Sequence, residues 1–525
     1  MGAVGQPDPL ETSPAEDPRA HAKLNLATTV VGFLVSIGTG LWFTPFLVHQ
    51  LGPAAYGIIP LATTVVSYFS LLTQTLSSAL NRSISVALAG NDLARAGRAF
   101  SSALGGVILI VVVLLPLIAI LSLAAPTLFE VPDGEAMATR ALFAIVGATL
   151  LFSIISTPYL SIAFGQNKIY WNNFNSLIQT AIRIGLTVLL FALAANIFNA
   201  GIAIFVAASA GVLMSMFSAW LNARGIRMFR PSFHREELRS LSRTSSHVLL
   251  MQLGTVLTMS CEVVIANKLF GAYQGGRYAA VIQWLLLLRN ANMALVVLCV
   301  PTILRLVGEH KHTELIAYTR IAMNWSALFI ALPAGFVCGV SPILLTAWLG
   351  PHFTDMWPIV VVQLTPMVFT CTVLPLYSIS LGTDKMLVGG IAQLVLGALG
   401  IGLALLFGWQ WGMIGVAIGV NWSFGIKELV FTPAYAAHNI GAPARTFLRP
   451  LATVGLLFVV AVALSWAGGQ LFHPHNMIQL FYVGVGVALI YAAIGFLAFR
   501  QMVMGALATL FAKRARGARP AASEV

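Results

Sequence analysis

Charge is what this sequence has least of. Asp, Glu, Lys and Arg make up only 9% of the 525 residues, against 58% hydrophobic, where a soluble domain carries about 25% charged residues. So little charge cannot cover a water-exposed particle, and a mean hydropathy of +0.88 makes lipid the solvent. Acids are the scarcer sign, 17 against 29 basic residues. No Asp or Glu falls within any of the first six apolar spans. A cation- or proton-coupled exporter needs a carboxylate deep in its bundle, and the first half of the chain offers none.

Other absences narrow the class further. The four cysteines (Cys261, Cys299, Cys338, Cys371) lie in apolar helices without metal-ligand or CxxC spacing, so they read as small core hydrophobes. There is no P-loop, no HExxH, no GxSxG and no DxD-like pair. No soluble domain or large loop is present to host an enzyme. The chain is expected to be a non-enzyme without cofactor, driven by an ion gradient, a membrane potential or downhill movement of cargo. Nucleic acid is an unsuitable partner, because the basic residues sit in loops between spans. Residues 1–23 lack a signal-peptide pattern and read as a disordered cytoplasmic tail.

What is present is a series of apolar runs from residue 24 to 503, each longer than the roughly 20 residues a spanning helix needs. The fold class expected is an all-α polytopic membrane protein of about fourteen spans. These lie near 24–49, 54–81, 100–125, 138–164, 169–195, 198–222, 246–270, 276–304, 315–348, 357–381, 386–408, 411–436, 447–467 and 477–499. Basic residues mark alternate loops: Arg95 and Arg98, Lys168, the six arginines from Arg224 to Arg243, Lys311 and Arg320, Lys385, then Arg445 and Arg449. The other loops carry Glu130, Asp133, Glu135 and Asp355, with Arg277 the main exception. By the positive-inside rule both termini are cytoplasmic and the span count is even.

The chain also repeats itself. Gly165-Gln166-Asn167-Lys168 matches Gly382-Thr383-Asp384-Lys385, and Ile184-Gly185-Leu186 then falls on Ile401-Gly402-Leu403. After a short gap Gly201-Ile202-Ala203-Ile204 meets Gly415-Val416-Ala417-Ile418. The domains expected are a first lobe at 24–222, a basic loop at 223–245, a second lobe at 246–436, two extra spans at 437–503 and a basic tail at 504–525. Six spans per lobe start both copies on the same side, so the repeat is parallel rather than inverted, with the site between lobes.

Polar side chains supply the candidate site. Span two carries Thr63, Ser67, Ser70, Gln74, Ser77 and Asn81 at helical spacing, which reads as one face. Spans one, five and seven carry similar stripes, including Asn25, Thr29, Ser36 and Thr39, then Asn175, Gln179, Arg183 and Thr187, then Gln252, Thr255, Thr258 and Glu262. A single stripe is usually helix-packing glue; stripes on spans one, two and seven together suggest a wet cavity. Arg289 beside Asn290 in span eight is expected at the depth of Glu262, as an ion pair. Arg82, Arg305 and Lys427 either snorkel to the interface or serve a functional role within the bundle. Arg183 has no acidic partner in its own lobe, and its fork suits phosphate or carboxylate. The inferred cargo is an anion rich in hydroxyls.

Phe46-Leu47-Val48-His49-Gln50-Leu51-Gly52-Pro53-Ala54-Ala55-Tyr56-Gly57 resembles the first loop of bacterial polysaccharide flippases. Tyr68-Phe69, Asn81-Arg82 and Gly90-Asn91-Asp92 resemble that family too, and Phe270-Gly271 with Tyr278 looks like a degenerate second copy of the corner. That family belongs to the multidrug/oligosaccharidyl-lipid/polysaccharide superfamily. The resemblance implies a two-lobe bundle with a cavity lined by spans one, two, seven and eight, alternating in access. It implies movement of an undecaprenyl-pyrophosphate-linked oligosaccharide across the inner membrane. Arg289, Asn290 and Arg183 would then meet the anionic groups, with Arg82, Gln74, Asn81, Ser67 and Gln252 as further cavity contacts. Glu262 would pair with Arg289 or carry a coupling proton. Expected partners are the lipid-linked glycan, membrane lipid, a polysaccharide polymerase and a chain-length regulator, around a monomer. A multidrug antiporter, a lipid II flippase and a non-transporting assembly scaffold are the alternatives.

Overall fold

The computed structural model describes residues 18–90, 92–222 and 235–498. The C-terminal tail, residues 1–17 and the first half of the basic loop lie outside the described residues. Two boundaries shift against expectation. The first helix starts at Pro18, inside the stretch read as tail, and the second lobe's first helix starts at Arg235, inside the stretch read as loop.

Among the described residues twelve helices are long and apolar enough to cross a membrane. Two of them, Ala27–Ser67 and Cys261–Val297, each hold a corner, so the described residues make fourteen crossing segments. The corners are Gly52 (φ 76°, ψ 160°) and Gly271 (φ 83°, ψ 172°). This is backbone space that an L side chain rarely adopts, which is why glycine stands at both. The second corner is a true fold-back: a methyl group added to Gly275 would lie 2.8 Å from the Cα of Asn267. Eight residues along a straight helix would separate them by about 12 Å.

The contacts repeat as the sequence does. In the first lobe span one (to Leu51) packs on span five (Tyr170–Leu193), span four (Ala136–Gly165) on spans three (Leu93–Leu128) and six (Ile197–Asn222), and five on six. In the second, span seven (from Arg235) packs on span eleven (Leu387–Trp411) and span ten (Trp357–Gly382) on spans nine (His312–Gly339) and twelve (from Met413). Eleven packs on twelve. The matched tetrapeptides form matched corners. Asn167 (φ 60°) and Asp384 (φ 54°) are both left-handed, and Lys168 N–H and Lys385 N–H donate back to Ala163 and Ser380 at 2.8 and 3.0 Å. These are helix ends closed by a left-handed residue, for which Asn and Asp are the usual non-glycine choices.

The two lobes touch where their glycine corners lie. A methyl on Gly57 would stand 2.5 Å from the Cα of Gly276, and one on Gly276 would overlap the carbonyl oxygen of Pro53. Nearby, Asn267 donates to the Glu130 carbonyl (3.0 Å) and accepts from its N–H (3.1 Å). Span two is not one continuous helix. It breaks at Tyr68-Phe69 and resumes as Ser70–Ala89.

Candidate functional site

Two adjoining cavities lie between the lobes. The larger, about 370 Å³, is walled by spans one, two, five, six and eight. Arg183 and Asn290 both line it, with Ser36, Thr39, Thr44, Tyr56, Thr63, Thr180, Thr187 and Gln283. The smaller, about 250 Å³, is lined by Thr63, Thr64, Ser67, Glu262 and Asn421 among others. Thr63 and Leu286 line both and form the step between them.

Span five positions Arg183. Its hydroxyl neighbour Thr187 donates back to the Arg183 carbonyl at 2.6 Å, a local bond that ties the turn. The guanidinium lies 5.6 Å from the centroid of the Phe43 ring on span one, a cation–π contact. Its Nε is buried and makes no hydrogen bond. Among the described residues no carboxylate lies within ion-pair distance of it. A cation within a membrane span with no carboxylate beside it is costly.

Glu262 is 4% exposed and fully hydrogen-bonded. Its Oε2 accepts from the Tyr278 hydroxyl and from Gln363 Nε2, both at 2.7 Å, and its Oε1 accepts from Asn421 Nδ2 at 2.5 Å. Gln363 also donates to Tyr278 Oη at 2.8 Å. Spans seven, eight, ten and twelve thus converge on one carboxylate. The expected Glu262–Arg289 pair is not formed. The reason is depth: Glu262 is held beside Tyr278, eleven residues and about 16 Å of helix before Arg289. Arg289 lines neither cavity.

The other expected residues divide. Ser67 lines the smaller cavity. Asn81 is half-buried and lines neither. Gln74, Arg82 and Gln252 stand in helices, but their side chains lie outside the described residues. The lower part of the span-one stripe is glue, as Asn25 donates to the Asn167 carbonyl (2.8 Å) and accepts from Tyr170 N–H (2.8 Å). Lys427 does not snorkel; it is 2% exposed beside a fully buried Glu428. Arg277, the exception among the loop charges, is a structural residue. It pairs with Asp355 and donates to the His352 carbonyl at 2.5 Å, 5% exposed. Arg305 stays at the edge, two-thirds exposed near Glu309. Tyr278 apart, the carboxylate's partners were missed: Gln363 and Asn421 are single amides in apolar runs. Among the described residues no group of three or more His, Cys, Asp or Glu could hold a metal.

Comparison with known proteins settles the family. The polysaccharide biosynthesis protein family matches residues 24–307, more than half of the chain. The chain belongs to that family. It is 27% identical to the uncharacterized membrane protein EpsK of Bacillus subtilis (strain 168), over 90% of this chain and 94% of that one. Its fold is similar to that of the lipid II flippase MurJ in an inward closed conformation, with TM-score 0.66 and 15% identity, covering 92% of this chain and all of MurJ. It is also similar to an inward-facing multidrug resistance MATE transporter of the MOP superfamily, with TM-score 0.58 and 16% identity, over 83% of this chain and 98% of that one. The polytopic all-α membrane fold expected from the sequence is therefore the fold of this family member.

Proposed function

We propose that this polysaccharide-family chain is a flippase. It moves an undecaprenyl-pyrophosphate-linked oligosaccharide across the bacterial inner membrane by alternating access, for surface polysaccharide biosynthesis. The observation that carries the reading is the unpaired Arg183 guanidinium in a cavity otherwise lined by hydroxyls and amides. Arginine's planar fork binds phosphate oxygens bidentately. Ser36, Thr39, Thr44, Thr63, Thr180, Tyr56, Gln283 and Asn290 offer donors and acceptors to sugar hydroxyls. Asn290 belongs to the second lobe, so a bound cargo bridges both lobes and feels their relative motion. The lipid tail stays in the bilayer. Arg289 is retained as a later anion contact on the second lobe, and Glu262 as the coupling carboxylate, one step from the cargo across Thr63. Both termini are cytoplasmic, and a polymerase and chain-length regulator act downstream.

A multidrug antiporter fits the cavity poorly, because a guanidinium repels an organic cation. A lipid II flippase shares the anionic cargo and differs in the glycan. A scaffold would not place an unpaired arginine in a polar cavity.

The test is translocation in vesicles holding only this purified chain and a lipid-linked oligosaccharide, read by a membrane-impermeant glycosidase. Protein-dependent loss of protection is expected, and Arg183→Ala should remove it. No translocation by the wild type, or an equal rate for the variant, overturns the reading.

A further inference from the structure

The second lobe holds another buried polar centre that the cavities do not use. The Lys427 ammonium donates to three oxygens: Gln393 Oε1 at 2.5 Å on span eleven, Tyr377 Oη at 2.7 Å on span ten, and Glu428 Oε1 at 2.7 Å beside it. Tyr377 in turn donates to Glu428 Oε1 at 2.6 Å. The rings of Tyr377 and Phe424 lie 5.2 and 5.5 Å from the ammonium. Adjacent residues on an α-helix point about 100° apart. Here they meet because the backbone opens into a π-helix over Lys427–Phe431, a widened turn found frequently at functional sites. Two polar atoms of the centre, Glu428 Oε2 and Gln393 Nε2, are buried with no hydrogen-bond partner. The first is a carboxylate oxygen that the lysine leaves unused.

We infer that this is a monovalent-cation site filled by the protein itself, with Lys427 as a tethered cation. One carboxylate, one amide oxygen and one phenol oxygen converging from three helices are the donors a hard cation takes. A widened, partly unwound helix is where transporters place coupling ions. Once the ammonium stands there, a gradient of metal cations cannot be exploited at this position. The assignment is independent of what cargo the cavity carries.

Purified full-length protein in detergent tests it, by thermal unfolding in NaCl, LiCl or KCl against choline chloride at equal ionic strength. The wild-type midpoint should not distinguish the salts. Lys427→Ala vacates the cage, and one alkali cation should then raise its midpoint by about 2 °C or more over choline. Adding Glu428→Gln should abolish that rise. A folded Lys427→Ala indifferent to all three metals overturns the proposal. So does a variant unfolded in every salt while Lys427→Ala/Glu428→Gln folds, because the exposed carboxylate would then have found no substitute cation. A variant that folds only in an alkali salt supports it.

Discussion

The indole N–H of Trp348 donates to the carbonyl oxygen of Leu41 at 2.6 Å, a bond from the second lobe to the first. The acceptor is free because Pro45, four residues on, has no N–H to give it. Trp348 sits on a short helix, Ser341–Leu349, after span nine. The same logic recurs inside the second lobe. Pro375 leaves the Cys371 carbonyl open, and Asn292 (3.0 Å) and Ser326 (2.9 Å) donate to it.

Trp348→Phe keeps the ring and removes the donor. It should cost about 1 kcal/mol, the net worth of one such bond, and loosen the lobes on that side. A thermal midpoint lowered by a few degrees would bear this out. An unchanged midpoint would show the bond contributes nothing.

Gly276→Val should stop transport without emptying the membrane of protein. The added side chain meets the Pro53 carbonyl and the Gly57 backbone, so the closed contact at the corners cannot form. Surface polysaccharide in a complemented deletion strain, normalised to protein by immunoblot, measures it. Wild-type polysaccharide would refute the contact's role.

Arg183→Ala should lower flipping at least about tenfold, equivalent to about 1.4 kcal/mol. Arg183→Lys should recover part of it, since a point charge replaces a fork. Equal loss in both variants would indicate geometry rather than charge. Arg289→Ala is expected to do less, because that side chain lies outside the cavity wall.

Glu262→Ala should leave Tyr278, Gln363 and Asn421 without their acceptor, each unmade bond costing about 1–3 kcal/mol. A strongly lowered thermal midpoint is the expected result. Glu262→Gln keeps the shape and removes the ionisable proton. In vesicles it should flip at a rate independent of an imposed pH gradient, while the wild type responds. A response retained by the Gln variant would remove Glu262 from coupling.

The large features were legible because they rest on local chemistry. Spans follow from hydropathy, and the Gly52 and Gly271 corners from glycine's backbone freedom. The Asn167 and Asp384 corners follow from residues that tolerate left-handed geometry. Arg183 was legible because a lone intramembrane arginine has few explanations. What failed depended on where the helices turn and break. Glu262 stands beside Tyr278, about 16 Å of helix before Arg289, so the two do not share a depth. The break at Tyr68-Phe69 interrupts span two, and hydropathy does not mark it. Lys427 was misplaced because burial of a charge depends on Tyr377 and Gln393, which come from two other helices.

The π-turn at Lys427 also bears on register. A π-turn absorbs one surplus residue without lengthening the rod, so the residues of span twelve beyond Phe431 are turned by the angle of one residue from where a straight helix would carry them. A single-residue deletion at this point would restore straight helix and dismantle the lysine centre.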